Sequence, residues 1–173
     1  MLIGITGKSG VGKNHFIDFL YGVNDEVNHV DIDLIGHAVV DKPHIMSEII
    51  SAFGIEVLDP HTTKLNRKKI AELVFTDRDK HKVLEEITWK EMEIMIDLQV
   101  KKWYSVTILN WILLPKTKYW DMCDKTFLIT RKENDRVKSI LARDKITMGQ
   151  LAKRDSASPD FSQFKYNFIL ENV

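Results

Sequence analysis

Residues 2–21 read LIGITGKSGVGKNHFIDFLY, and this stretch decides the fold. A short apolar run is followed by a glycine-rich turn and then by an amphipathic segment, an order that predicts a strand, a turn and a helix. The turn, residues 7–14, follows the pattern G-x-x-x-x-G-K-[ST] up to its last position, where Asn14 stands in place of Ser or Thr. A turn of this kind between a strand and a helix indicates a loop that binds polyphosphate.

The residue types in this turn suit an anion. Gly7, Gly10 and Gly12 allow backbone conformations that a Cβ would forbid, so successive N–H groups can point at one phosphate. The first turn of the helix adds partial positive charge, and Lys13 brings a mobile full charge to the outer phosphates. A glycine-rich turn without a ligand is the alternative, whereas a dinucleotide-binding G-x-G-x-x-G turn has a different spacing and no Lys. The predicted nucleotide-binding residues of the turn are Lys8, Ser9, Gly10, Val11, Gly12, Lys13 and Asn14.

Asn14 is the candidate metal ligand of the turn. The hydroxyl that the pattern places at this position ordinarily ligates Mg²⁺. The side-chain carbonyl oxygen of Asn14 also suits a hard cation, but the amide is longer than Ser or Thr and lacks the hydroxyl geometry. We therefore expect Asn14 to be a weak Mg²⁺ ligand beside a strong phosphate site.

Length and composition narrow the function classes. The 173 residues fit one domain that is large enough to bury a core, with room for a small lid. Because Lys+Arg and Asp+Glu are both 25, no net charge favours nucleic acid or a membrane, and we expect small-molecule chemistry. Cys123 is the only cysteine, which excludes an internal disulfide and a cysteine-rich metal site. Without a basic leader or a long apolar run, a cytoplasmic monomer or weak homo-oligomer is expected.

Five apolar stretches predict β-strands that alternate with helices. Such alternation is typical of an α/β fold with a parallel sheet, in which ligands bind at the carboxyl ends of the strands. Between the second and third strands lie too many helical residues for a simple crossover, so a helical substrate-side subdomain is expected there. The predicted strands span residues 2–6, 27–30, 106–110, 126–129 and 166–170, and the intervening helices span residues 43–53, 67–75, 78–87 and 90–104.

Two carboxylates follow the second predicted strand, in the sequence Asp31-Ile32-Asp33. Asp33 could cap the helix that comes next, which is a common use of Asp. Both carboxylates also stand where an acceptor would face the phosphates, so one could accept a proton from a hydroxyl while the other positions metal-bound water. Both interpretations stay open here, and His37, one turn further on, is expected to be structural or exposed.

A local excess of basic residues lies late in the chain, where residues 125–154 hold nine Lys or Arg and three Asp or Glu. Arg136 and Arg143 are seven residues apart, close to two helical turns, so both can project from one helix face toward one polyphosphate. Basic helices that close over a nucleotide would exclude water and stabilise the transferred charge. The alternative is a solvated helix face.

Several motifs in the chain occur together in one known family. Residues 5–13 read ITGKSGVGK, and residues 31–37 read DIDLIGH. The middle of the chain has Phe53-Gly54, then Leu65-Asn66-Arg67, then Val74-Phe75, a set that other nucleotide kinases do not generally carry. The chain thereby resembles, over nearly its full length, the dephospho-CoA kinases of the P-loop kinase superfamily, which phosphorylate the 3′-hydroxyl of dephospho-CoA with ATP. Leu113-Leu114, Arg143-Asp144 and Asn172 also look like family positions.

This resemblance implies a fold and an activity. The fold is a three-layer α/β/α P-loop kinase fold with a five-stranded parallel sheet, an inserted helical substrate subdomain and a helical lid. In a single domain of residues 1–173, the core covers about 1–41, 105–135 and 160–173, the insertion about 42–104 and the lid about 136–159. The implied reaction uses ATP and Mg²⁺ and is the last step of coenzyme A biosynthesis.

The resemblance also implies roles for residues that match family positions. Lys13 and the loop amides would hold the phosphates of ATP. Asp33 would act as the base on the acceptor hydroxyl, with Asp31 beside it. Arg67 would contact the acceptor, and Arg143 would clamp phosphates from the lid.

The chain departs from the family at chemically important positions. Asn14 replaces the Ser or Thr of the loop, and Asn110 replaces the acid of an Asp-x-Pro-Leu-Leu segment, so both usual supports of the metal are amides. Ser139 stands where the family has its first lid Arg, and Arg136, one turn earlier, would replace the lost charge and contact ATP. Other departures are Trp89-Lys90 for His-Pro, Lys116 for Glu, Ser158 for Gln and Asn167 for Asp.

These departures leave three interpretations open. The chain is an active enzyme that holds Mg²⁺ mainly through ATP oxygens, water and Asp33. It is a kinase of another small acceptor, such as a nucleoside monophosphate. Or it is a nucleotide-binding module that has lost turnover. The first is favoured because Lys13, Asp33, Arg67 and Arg143 are all present.

Overall fold

The computed structural model describes residues 1–23, 26–102 and 105–173, with every side chain in these ranges except those of Phe75 and Thr76. The described ranges contain five strands and eight α-helices and divide into two compact units, Met1–Asp31 with Lys102–Val173, and Ile32–Lys101. The strands are β1 (Leu2–Thr6), β2 (Val27–Asp31), β3 (Val106–Asn110), β4 (Lys125–Arg131) and β5 (Phe168–Asn172). The helices are α1 (Lys13–Val23), α2 (Ile32–Val40), α3 (Pro43–Phe53), α4 (Arg67–Thr76), α5 (Arg78–Val100), α6 (Lys118–Met122), α7 (Glu133–Asp144) and α8 (Met148–Ser156).

The five strands form one parallel sheet, as predicted, and the structure orders them β2-β3-β1-β4-β5. The central strand β1 pairs with β3 on one side and with β4 on the other. The chain leaves β1 toward β2 and leaves β4 toward β5, in opposite directions along the sheet, so a crevice opens between the carboxyl ends of β1 and β4. The glycine-rich turn follows β1 and therefore begins at this crevice.

Both faces of the sheet are covered within the first unit. Ile5 of β1 lies in a buried cluster with Val11 and with Ile17 of α1. Gly4 faces the other side, where an added Cβ would come within 3.1 Å of Trp120 on α6. Because successive residues of a strand point to opposite faces, the sheet lies between two helical layers. The predicted three-layer α/β/α fold is confirmed.

In the second unit, α5 is the helix against which α2, α3 and α4 pack. The break that the sequence predicts between residues 87 and 90 is wrong, because α5 continues without interruption to Val100. Thr88, Met92 and Ile96 are buried at intervals of four residues. They lie on one face of the helix, and their packing outweighs the modest helix propensity of this stretch. Trp103 and Tyr104, where the prediction ends this helix, lie outside the described residues.

The ends of three strands differ from the prediction. β5 begins at Phe168, and the residue before it bonds through its side chain as well as its backbone. Oδ1 of Asn167 accepts hydrogen bonds from the N–H of Thr126 at 2.8 Å and from its hydroxyl at 3.0 Å. β2 and β4 run on to Asp31 and Arg131, so both strands carry a charged residue to the carboxyl edge of the sheet.

The predicted boundaries of core, insertion and lid stay predictions. The compact helical unit begins at Ile32, so α2 belongs with the helices that follow it. Among the helices of the described ranges, none has the length and apolar character needed to cross a membrane.

Candidate functional site

The phosphate loop, residues 7–14, has the backbone that its glycines predict. Gly7, Gly10 and Gly12 have φ values of 140°, 79° and 93°. An added Cβ at Gly7 would lie 2.3 Å from the carbonyl oxygen of Ile129 on β4, and one at Gly10 would lie 2.3 Å from Cγ1 of Ile140 on α7. Only glycine meets both requirements, a positive φ and a close neighbour, so the loop is fixed between β4 and α7.

Lys13 is the first residue of α1, and its side chain turns back into the loop. Its Nζ donates hydrogen bonds to the carbonyl oxygens of Gly7 at 2.8 Å and Lys8 at 3.3 Å. The loop therefore curls around a positive charge at the N-terminus of a helix, which is the arrangement that binds phosphate groups.

Asn172 holds the far side of the loop from the end of β5. Its Nδ2 donates to the carbonyl oxygen of Val11 at 2.9 Å, and an added Cβ at Gly12 would lie 2.1 Å from that nitrogen. Sequence reasoning noted Asn172 only as a family position. Its place at the end of an apolar strand, at the carboxyl edge, is the signal that could have assigned it to the loop.

A buried polar cluster lies beside Asn14. Asn110, at the end of β3, is 4% exposed, and its Nδ2 donates to Oδ1 of Asn14 at 3.3 Å and lies 3.5 Å from Nε2 of His29. Burial lowers the pKa of His29, although the charges of Asp31 and Asp18 oppose the shift, so the imidazole is neutral at pH 7. Oδ1 of Asn110 is buried and has no hydrogen-bond partner within the described residues.

This cluster fits a magnesium ion by the chemistry of its oxygens. The orphaned Oδ1 of Asn110 and Oδ1 of Asn14 are amide oxygens, and Asp31 pairs with Asn110 in the register of β2 and β3. Amide and carboxylate oxygens are ligands that Mg²⁺ accepts, usually together with water and phosphate oxygens. No group of three or more His, Cys, Asp or Glu side chains in the described ranges, this cluster included, could hold a metal.

Arg136 of α7 is buried, with 1% of its surface exposed. Its guanidinium binds both carboxylate oxygens of Glu133, at 2.5 and 3.0 Å, both of Asp155 on α8, and the carbonyl oxygen of Ser9 at 3.1 Å. The hydrogen bonds to Glu133 raise the pKa of Arg136 further, and Arg136 in turn holds the pKa of Glu133 below its usual range. A direct contact of Arg136 with ATP stays a prediction.

Arg143, at the end of α7, lies in a different environment. Its side chain is 63% exposed and donates to Asp144 from Nε at 2.6 Å and from Nη2 at 3.2 Å. Arg154 of α8 binds the same carboxylate at 2.7 Å, and together the two guanidinium groups hold the pKa of Asp144 below its usual range. Arg136 and Arg143 therefore have separate partners, and the phosphate clamp expected of Arg143 stays a prediction.

Sequence reasoning missed Arg131, the last residue of β4. Its Nη1 donates to the hydroxyl of Ser139 at 2.9 Å, and its Nε is buried without a partner in the described parts of the chain. Ser139 is the position where the resemblance places a lid Arg, so Arg131 brings a guanidinium to the same place from the sheet. A basic residue at the end of an apolar strand, eight positions before a small hydroxyl residue, was the available signal.

Two of the acceptor-side residues, Asp33 and Arg67, lie in the helical unit, whereas Asp31 is the last residue of β2. Asp33 lies in the first turn of α2, which begins at Ile32, so it is inside the helix and not before it. Arg67 is the first residue of α4, and its Nη2 donates to the carbonyl oxygen of His37 at 3.1 Å and to Asp41 at 2.7 Å. The guanidinium of Arg67 thus links the Leu65-Asn66-Arg67 motif to the motif at residues 31–37.

A lysine-centred glycine loop at the switch point of a parallel sheet in the order 2-3-1-4-5 defines the class of P-loop kinases. The sequence model of the dephospho-CoA kinase family matches residues 1–165, and the chain belongs to this family. The predictions of family, fold class and kinase activity are confirmed.

Individual relatives agree with this assignment. A dephospho-CoA kinase of Fusobacterium nucleatum is 31% identical over 147 residues, which cover 84% of this chain and 75% of the relative. The fold is similar to that of a protein from Thermus thermophilus, with a TM-score of 0.83 at 21% identity, covering 100% of this chain and 88% of the other. It is also similar to a dephospho-CoA kinase from Campylobacter jejuni, with a TM-score of 0.66 at 24% identity, covering 99% and 88%.

Proposed function

We propose that this protein transfers the γ-phosphoryl group of ATP to the 3′-hydroxyl of dephospho-CoA, which gives CoA and ADP. The observation that carries the proposal is the phosphate loop, whose three positive-φ glycines enclose Nζ of Lys13. Membership of the dephospho-CoA kinase family supplies the acceptor. The chain would act on a small molecule, as a cytoplasmic monomer or weak homo-oligomer, without nucleic acid or a membrane.

The donor side of the reaction is held by the loop. Backbone N–H groups of residues 8–14 and the N-terminus of α1 bind the β- and γ-phosphates of ATP. Nζ of Lys13, which donates to two loop carbonyls, turns one of its three N–H groups to a phosphate oxygen. These fixed donors stabilise the charge that spreads over the phosphoryl oxygens during transfer.

The acceptor side is held by Asp31, Asp33 and Arg67. Asp33 accepts the proton of the 3′-hydroxyl while the hydroxyl oxygen attacks the γ-phosphorus. The bond between the γ-phosphorus and the β-phosphate oxygen breaks as ADP leaves. Asp31, in the same motif, supports the base. Arg67, held by Asp41 and by the carbonyl of His37, binds the acceptor. Transfer is direct and in line, so no covalent enzyme intermediate forms.

The amide side chains of Asn14 and Asn110, here called the amide pair, and the lid complete the site. Asn14 and Asn110 would hold Mg²⁺, which when bound neutralises charge on the β- and γ-phosphate oxygens. Arg143 would leave part of its contact with Asp144 to bind the phosphates from the lid. Because both metal-side groups are amides, a nucleotide-binding module without turnover is the second candidate function.

One experiment separates these functions. The protein is incubated with ATP and Mg²⁺ and with dephospho-CoA, a nucleoside monophosphate or no acceptor, and products are identified by mass. We expect a product of the mass of CoA only with dephospho-CoA, and none from the Lys13→Ala variant. If a phosphorylated nucleotide forms instead, the acceptor is a nucleoside monophosphate. If ATP binds and no product forms, the protein is a nucleotide-binding module without turnover.

A further inference from the structure

Arg136 is the largest fully buried side chain in the described parts of the protein. Burial of a guanidinium is unfavourable unless its N–H groups are all paired, because the charge loses its hydration. Here the burial lies directly against the phosphate loop. An added Cβ at Gly10 would lie 3.4 Å from Cγ of Arg136, beside the contact with Ile140 one turn further along α7. Residues 9 and 10 of the loop thus rest on this turn of α7.

Every N–H group of Arg136 has an acceptor. Nε donates to Glu133, Nη1 donates to Asp155 and to the carbonyl oxygen of Ser9, and Nη2 donates to Glu133 and to Asp155. A guanidinium has five N–H donors in fixed directions, and these five hydrogen bonds use all of them. In this arrangement Arg136 has no donor left for a phosphate of ATP.

The bond to Ser9 sets the direction of the loop backbone. In a trans peptide the N–H of the next residue points opposite to the carbonyl. With the carbonyl of Ser9 held by Arg136 on the α7 side, the N–H of Gly10 points away from α7. Asn172 holds the carbonyl of Val11 in the same way and so orients the N–H of Gly12. A phosphate loop needs its N–H groups fixed toward one anion, because reorientation on binding would reduce affinity.

We propose that Arg136 is a positioning residue, which orients the amides of the phosphate loop for ATP by holding the Ser9 carbonyl and is itself fixed by Glu133 and Asp155. The proposal rests on the nucleotide-binding part of the proposed function and not on the identity of the acceptor. The sequence predicts a direct contact of Arg136 with ATP, whereas in this proposal Arg136 acts on ATP indirectly, through the loop backbone. It also gives Asp155 of α8 a role in nucleotide affinity, although this carboxylate would repel a phosphate.

The test measures ADP affinity by calorimetry for Arg136→Gln and Arg136→Lys, with circular dichroism and thermal unfolding to establish that each variant is folded. Lys keeps the positive charge and three N–H donors, enough for some of these five bonds, so its effect should be the smaller of the two. We expect the Kd for ADP to rise about tenfold or more in Arg136→Gln, the scale of one hydrogen bond to a charged group. In turnover assays the KM for ATP should rise, while the KM for dephospho-CoA should stay within about twofold.

Two control variants separate positioning from a loss of stability. Lys138→Gln removes an exposed cation from the same helix, and Ile49→Val removes a buried methyl group from the helical unit. Both should bind ADP like the original protein, although Ile49→Val should unfold at a lower temperature. A folded Arg136→Gln with unchanged ADP affinity would overturn the proposal. If that variant does not fold, unchanged affinity in Arg136→Lys would overturn it, and a several-fold loss would support it. Absence of CoA formation by the original protein would reject the proposed acceptor or the proposed turnover, and it would leave this proposal intact, because ADP binding is measured without the acceptor.

Discussion

Lys13 holds two carbonyl groups of its own loop and is the only lysine in the first turn of α1. We predict that Lys13→Ala weakens ATP binding and lowers turnover by at least about 10²-fold, because one preorganised charge at the moving phosphoryl group is lost. Steady-state kinetics and ADP titration measure the two effects. Lys138→Ala, an exposed lysine of α7, is the matched control and should match the original protein. Normal turnover in Lys13→Ala would show that the phosphate loop has no part in phosphoryl transfer.

Asp33 is the residue that we assign as the catalytic base. Asp33→Asn keeps the shape of the side chain and removes its capacity to take a proton, so we predict turnover lower by about 10²- to 10⁴-fold with ATP affinity unchanged. Initial rates and nucleotide titration check this. Glu48→Gln, an exposed carboxylate on α3, is the matched control. If the two variants turn over equally fast, Asp33 is not the base.

Some residue-level features could be predicted from sequence and others could not. The spacing of Gly7, Gly12 and Lys13 is local, so the motif alone indicated the loop. The partners of Arg136 and Arg131 could not be predicted, because Ser9 and Ser139 reach them only through the packing of α7 on the sheet. Helical periodicity placed Arg136 and Arg143 on one face, but it does not say which guanidinium is buried.

At the scale of elements, one glycine of the phosphate loop and one of α1 differ in whether a side chain would be tolerated. Gly10 has φ of 79° and no room for a Cβ, whereas Gly22 in α1 has nothing within 4 Å of one. We predict that Gly10→Ala costs about 1–2 kcal/mol or more, from its left-handed backbone alone, and weakens ADP binding. Gly22→Ala should stabilise by about 0.5–1 kcal/mol, because Ala favours a helix. Urea unfolding measures both, and equal midpoints would contradict the loop geometry.

Element types were easier to predict than their ends. The strands and helices follow from apolar periodicity, which is a local property. The single helix α5 was missed because its continuity depends on the burial of Thr88, Met92 and Ile96. The start of β5 was missed because Asn167 bonds to Thr126, 41 residues away in the chain.

At the scale of the whole molecule, Cys123 can report on global unfolding. Burial raises the pKa of its thiol to about 12, with Asp124 and Asp121 adding to the shift, and the thiol donates to the carbonyl oxygen of Tyr119. The reactive thiolate is therefore scarce in the folded protein at pH 8. We predict slow alkylation by iodoacetamide in buffer and fast alkylation in denaturant, followed by mass spectrometry. ADP should slow the reaction further, because it stabilises the folded state. Equal rates in buffer and denaturant would show that the thiol is accessible in the fold.

The order of the strands in the sheet was not predicted from the sequence. Alternating strands and helices indicate a parallel sheet, but many strand orders share that pattern. The grouping of α2 with the helical unit was also beyond the sequence, because it depends on packing against α5.

The amide pair of Asn14 and Asn110 has a consequence for acidity. Neither side chain gains or loses a proton in the range where enzymes work, so hydronium would not compete with a Mg²⁺ ion for these two oxygens. A carboxylate at either position would lose metal affinity as it became protonated. The two amides would therefore add no pH dependence of their own to Mg²⁺ binding in mildly acidic solution.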